Sequence, residues 1–141
     1  MTETARTSLP IAASRDAIWH ALTDPDAIAR YMYGTRVTTD WREGGPITYR
    51  GEWDGKPYED KGTILEIIPG ERLVTSYYSP LSGKPDVPDS YQTVSYLLSD
   101  DGGTTVVTIT QDGCADRAEA ERMADNWAST LASLRSVVEE A

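Results

Sequence analysis

The segment from Asp116 to Glu140 constrains the fold more than any other part of the chain. Asp116 and Glu119 form a capping-box-like pair, and strong helix formers follow without a glycine or proline. Met123, Trp127, Leu131, Leu134 and Val138 fall on one face of the predicted helix, while Arg122, Asp125, Arg135 and Glu139 fall elsewhere. About 24 residues rising 1.5 Å each make a rod of roughly 36 Å. Such a rod has one apolar stripe and needs an equally long apolar surface to cover it.

That surface is encoded upstream. Between Thr35 and Asp112 the pattern is one of strands and tight turns: GTRVTTDW, a Gly44-Gly45-Pro46 break, ITYRGEW, YEDKGTILEII closed by Pro69-Gly70, ERLVTSYYS closed by Pro80, SYQTVSYLLS and TTVVTITQD. Asp54-Gly55 is a hairpin signal, as is Asp100-Asp101-Gly102-Gly103. LSGKPDVPD, with two prolines and a glycine, reads as an exposed loop. Ahead of these lies a short strand-like stretch, Ala5 to Ala13. Ser14 caps a first helix carrying Ile18, Trp19 and Leu22, and Asp24-Pro25 starts a second with Ile28, Tyr31 and Met32, stopping at Gly34. Six or seven hairpin-linked, antiparallel strands spaced ~4.8 Å apart give a sheet about 29 Å across at most. The expected fold is α+β: a curved antiparallel sheet wrapped around the long C-terminal helix, with two short helices after the first strand.

At 141 residues a single domain spanning 1–141 is expected, large enough to bury about two thirds of its unfolded surface. The net charge of −10 and the lack of any Lys/Arg stripe disfavour nucleic-acid and anionic-membrane partners. No apolar run approaches the ~18 residues of a membrane span, and the first residues, with Glu3, Arg6, Arg15 and Asp16, form no signal peptide. The one cysteine, Cys114, has no partner for an internal disulfide. A cytoplasmic protein is expected, as a monomer or a homodimer.

The order strand, two helices, six strands and a long helix is that of the helix-grip fold, and several short motifs match it. Ile18-Trp19-His20-Ala21-Leu22-Thr23-Asp24-Pro25, Trp41-Arg42-Glu43-Gly44-Gly45, Gly62-Thr63-Ile64-Leu65-Glu66 with Arg72-Leu73, Gly103-Thr104-Thr105-Val106, and Trp127 with Leu131 and Leu134 carry the resemblance. On these residues the chain resembles the SRPBCC superfamily of START-like and birch-pollen-allergen-like proteins. More narrowly it is similar to bacterial proteins related to the activator of the ninety-kilodalton heat-shock protein ATPase. The resemblance implies an internal pocket between sheet and final helix. It does not select one activity, since the superfamily includes lipid carriers, hormone binders, polyketide cyclases and a co-chaperone module.

The reactive inventory is thin. His20 is the only histidine, so two-histidine metal sites are excluded; it can be a surface group or a lone acid–base group. Cys114 lacks a histidine pair, and Gly44-Gly45 lacks the Lys-Ser/Thr of a phosphate loop. No metal or nucleotide cofactor is therefore expected. Asp24/Asp26, Glu59-Asp60 and Asp100-Asp101 read as capping or solvated acids, whereas Glu52 and Glu66 are either solvent-facing or buried and perturbed.

Aromatic residues remain. Phenylalanine is absent, so eight tyrosines and four tryptophans supply all the ring area, each with a polar edge. Tyr49, Gly51 and Trp53 share one strand face, and a glycine between rings is expected to leave room for a ligand. The candidate ligand-binding residues are Trp41, Tyr49, Trp53, Tyr78, Tyr96, Met123, Trp127 and Leu131, with Gln111 and Arg50 as polar anchors. The leading function is binding of a small, largely apolar molecule. Alternatives are an enzyme using the same cavity for cyclisation, dehydration or hydrolysis, and a chaperone-interaction module.

Overall fold

The computed structural model describes residues 3–32, 34–53, 55–80 and 83–139, the side chain of Trp53 excepted. Its elements are β1 (Glu3–Ile11), α1 (Arg15–Thr23), α2 (Pro25–Tyr31), β2 (Arg36–Thr39), β3 (Pro46–Trp53), β4 (Lys56–Ile68), β5 (Arg72–Tyr77), β6 (Gln92–Asp101), β7 (Thr104–Cys114) and α3 (Arg117–Glu139). A short 3₁₀ turn, Pro88–Ser90, interrupts the proline-rich loop before β6.

All three helices begin where their caps place them. Ser14 accepts from the Ala17 amide at 3.1 Å, Asp24 from Asp26 at 3.3 Å, and Asp116 from Glu119 at 2.8 Å. The predicted hairpin at Asp54-Gly55 closes β3 onto β4, with Trp53 opposite Lys56; Asp54 lies outside the described residues. Gly102 and Gly103, both at positive φ, turn β6 into β7. The expected strand over GTRVTTDW is shorter than its pattern. Asp40 accepts from the Arg42 amide and Trp41 takes φ +57°, so the chain leaves the sheet at Thr39.

The seven strands form one sheet in the order β1-β7-β6-β5-β4-β3-β2, antiparallel throughout. Two features on β4 curve it. Leu65 is the extra residue of a bulge, since Ile64 pairs with Thr75 and Glu66 with Val74. Gly62 lies so close to β5 that a Cβ there would overlap the Ser76 carbonyl oxygen. The helix-grip arrangement follows: α3 lies across the curved sheet, packed on β1, β7, α1 and α2.

The core gathers Ile11, Ile18, Leu22, Ile47, Ile64, Leu73, Leu98 and Val107 around Leu131 and Leu134 of α3. Met123, Trp127 and Val138 share the apolar face of α3 but are only half-buried. Toward its N-terminal end, between Met123 and Thr130, that helix borders a cavity.

Candidate functional site

The cavity holds about 660 Å³ and lies between the first half of α3 and the inner face of β3 to β7. The segment after α2 adds Met32 and Thr35. Its walls are mainly rings and aliphatic groups: Tyr49, Tyr58, Tyr77, Tyr96 and Trp127 with Met32, Val94 and Met123. Exposed Glu52 and Asn126 mark the opening.

Tyr96 meets Trp127 edge-on at 5.8 Å and 89°, and Tyr49 meets Tyr77 at 6.1 Å and 62°. Trp127, Tyr58 and Tyr77 are held by their polar edges as well. Trp127 Nε1 donates to Gln111 Oε1 at 2.8 Å, while Gln111 Nε2 donates to Gln92 Oε1 at 2.7 Å, which fixes the amide's orientation. Thr35 Oγ1 donates its only proton to the Met32 carbonyl at 2.7 Å, so Tyr58 Oη is the donor in its 2.7 Å bond to Thr35.

The polar centre of the cavity wall is Asp60. Tyr49 on β3 sits directly across from it, and Tyr77 on β5 donates to Asp60 Oδ2 at 2.5 Å. Asp60 is 8% exposed, and its other oxygen, Oδ1, has no hydrogen-bond partner. Thr75, two residues from Tyr77 and 1% exposed, is likewise unpartnered at Oγ1. It lies beside the Tyr49 phenol, but without the geometry of a hydrogen bond.

Burial pushes the Tyr49 hydroxyl up to about 12. Burial first, and then the Asp60 carboxylate, push Tyr77 higher still; burial raises Tyr31 and Tyr96 as well. At neutral pH these phenols are hydrogen-bond donors and not bases.

The sequence-predicted residues divide four ways. Tyr49, Tyr96, Met123 and Trp127 border the cavity, joined by Gln111. Leu131 lies in the closed core at 1% exposure, and Trp41 packs against that core instead of the cavity wall. Tyr78 is absent from the wall: its ring stacks on Tyr91 at 5.2 Å and its hydroxyl donates to the Lys84 carbonyl. The side chain of Trp53 lies outside the described residues. Arg50 faces away and pairs with Glu59 at 3.0 Å, so it is no anchor here.

Two readings of the sequence are corrected. Space beside Gly51 is not left for a ligand, because the Tyr58 ring fills it; a Cβ at Gly51 would stand 2.6 Å from Tyr58 Oη. Asp60 is not a solvated strand acid but a buried one. Both errors share a cause. Tyr58, Asp60, Gly62 and Ile64 alternate on β4, as Leu73, Thr75 and Tyr77 do on β5. Ile64 and Leu73 assign those faces inward, a signal that would have recovered Tyr58, Asp60, Thr75 and Tyr77.

The remaining candidates for chemistry are apart from this cavity. His20 is exposed, 3.6 Å from the Asp24 carboxylate, and Cys114 is buried against Ala5 and Ala120. Among the described residues no three His, Cys, Asp or Glu side chains come together as a metal-holding group.

The family model of the Activator of Hsp90 ATPase homolog 1-like protein matches residues 12–139. The chain belongs to that family. A member-like solution structure, ChR145 from Cytophaga hutchinsonii, is 40% identical over 98% of this chain and 94% of its own, with a TM-score of 0.85. More distant structures share the fold. The Aha1 dimer from Colwellia psychrerythraea is 18% identical with a TM-score of 0.72, covering 97% of this chain and 96% of its own. DynU16, from the dynemicin biosynthetic locus, is 20% identical with a TM-score of 0.75, covering 96% of this chain and 47% of its own. No curated protein matches the sequence. Family membership agrees with the SRPBCC resemblance in the motifs. Within the family's fold, the cavity wall is what distinguishes possible functions.

Proposed function

We propose that this protein reversibly binds a small, largely apolar molecule in the cavity between the sheet and α3. The observation that carries the reading is the cavity itself: about 660 Å³, walled by five rings that are each oriented by packing or a hydrogen bond. That size and that mixture of apolar wall and few polar groups suit a small-molecule site. Rings held in this way are pre-organised, so binding orders few side chains. The test is titration with the neutral fluorophore phenylnaphthylamine. Saturable, one-to-one quenching of tryptophan emission with a rise in melting temperature is expected by linkage. Absence of saturable binding overturns the reading.

A second reading, an enzyme for cyclisation, dehydration or hydrolysis, draws on the Asp60–Tyr77 pair in the wall. Asp60 Oδ1 would take a proton and a neutral phenol would donate one. Turnover lost in Asp60→Asn with ligand affinity retained would favour it over simple carriage. A chaperone-interaction module has less support. Among the described residues the exposed large apolar side chains are Leu65 and Val87, too few for an apolar docking patch.

A further inference from the structure

The charge of the cavity wall is one-sided. Its described lining contains two carboxylates, Asp60 within and Glu52 at the opening, and no lysine, arginine or histidine. Asp60 also has capacity to spare. A carboxylate placed for structure alone normally has both oxygens bonded when buried, and Tyr77 satisfies only Oδ2. A second buried acceptor, Thr75 Oγ1, is unpartnered on the adjoining strand, and Thr75 lines the same cavity. The rings of Tyr49 and Tyr77 flank this polar spot. A carboxylate with an unbonded oxygen, and no cation in the wall to neutralise it, favours a cationic donor over an anion.

We infer that the cavity selects amphipathic molecules whose polar end is a hydrogen-bond donor, above all a protonated amine, with Asp60 and Thr75 as its polar subsite. The inference rests on the proposed ligand binding and adds the class of ligand. The amine nitrogen donates to Asp60 Oδ1 and to Thr75 Oγ1, and the apolar remainder lies against Tyr96, Met123 and Trp127. Fatty acids and other apolar carboxylates are rejected, because they would meet Asp60 and Glu52 with no cation to neutralise them.

A matched probe series separates this inference from the reading beneath it. Phenylbutylamine, phenylbutanol and phenylbutyrate share one apolar body and differ in the polar end. Isothermal titration at neutral pH is expected to give the amine the tightest binding, about tenfold or more over the acid, with the alcohol between. Asp60→Asn should weaken the amine about tenfold and leave the alcohol within about threefold. Tyr77→Phe keeps the charge and frees Oδ2, so it should preserve the amine preference even if Asp60→Asn fails to fold. Equal affinities, or a preference for phenylbutyrate, in the wild type overturn the inference while leaving the cavity a binding site. An amine preference that persists in folded Asp60→Asn also overturns it. Saturable binding of none of the three removes the proposed ligand binding and the inference together.

Discussion

The two ends of the contact between α3 and the sheet are built from different residues. At the α1 end, Leu131 and Leu134 meet Ile11, Ile18 and Val107, and each is at most 1% exposed. At the other end, Met123 and Trp127 stand over Tyr49, Tyr77 and Asp60, and space remains between them. The same helix and the same strands serve both: β7 runs from Thr105 at the closed end to Gln111 at the open one, and β6 from Val94 at the open end to Leu98 at the closed one. Branched aliphatic side chains interdigitate and close the gap. Rings pinned by hydrogen bonds to Gln111, Asp60 and Thr35 cannot collapse into it, so the cavity persists. The difference is one of side-chain chemistry on a continuous backbone frame.

The largest expected effect is alkaline. Tyr49 and Tyr77 belong to the open end, and Tyr31 and Tyr96 lie at its border with the core. Their folded-state values are raised above the ordinary ~10 of an unfolded chain. Below pH ~10 both states keep these protons and stability does not depend on them. Above it the unfolded state releases protons that the native state retains, so stability falls as pH rises. For Tyr49 the loss continues to about pH 12. Each such phenol contributes a slope approaching about 1.4 kcal/mol per pH unit in that window. Denaturant melts between neutral pH and pH ~11 should show a steep decline, and Tyr49→Phe should make it shallower. A flat profile would mean that water entering by the opening solvates these phenols in the native state.

Truncations on α3 sharpen the contrast. Leu134→Ala should cost about 3 kcal/mol, because the surrounding core cannot close over the lost volume. Trp127→Ala removes a much larger side chain, yet it enlarges a space already present and forfeits one hydrogen bond. Its cost should be nearer 1–2 kcal/mol, with a greater effect on probe binding than on folding. A Trp127→Ala loss equal to or above that of Leu134→Ala would erase the distinction between the two ends.

How much of this could be read from the sequence divides along the same line. Caps at Ser14, Asp24 and Asp116, glycine turns and strand alternation act through local backbone chemistry, and they set the element order, as the structure shows. Leu134 was equally plain as a core-facing residue, whereas Leu131 on the same stripe was expected at the cavity and lies in the closed core. The cavity wall was less so, because it depends on which strand lies beside which and on how far the sheet curls. Tyr78 and Tyr77 are neighbours of one type, and only the inward parity of Leu73 separates the wall residue from the one stacked outside on Tyr91. Asp60 beside Glu59 looks like any acidic strand pair until Tyr77 is brought across it. Gly51 was legible as special, but the partner that fills its space, Tyr58, is fixed by the register of β3 on β4.

The smallest effect carries the sharpest sign. Thr75 on β5 and Thr105 on β7 are both 1% exposed, one at each end of the contrast. Thr105 Oγ1 donates to the Ala13 carbonyl at 2.9 Å, whereas Thr75 Oγ1 has no partner. Valine has nearly the shape of threonine without the hydroxyl. Thr105→Val therefore strands a carbonyl and should destabilise by about 1 kcal/mol. Thr75→Val removes a buried hydroxyl that gains nothing from its burial, so stability should be unchanged or higher by up to about 1 kcal/mol. The same substitution should weaken phenylbutylamine binding, since the hydroxyl's use lies with the ligand. Paired denaturant melts decide the matter. If Thr75→Val costs as much as Thr105→Val, the Thr75 hydroxyl is already bonded within the protein, to the adjacent Tyr49, and the open end has one polar group fewer to offer.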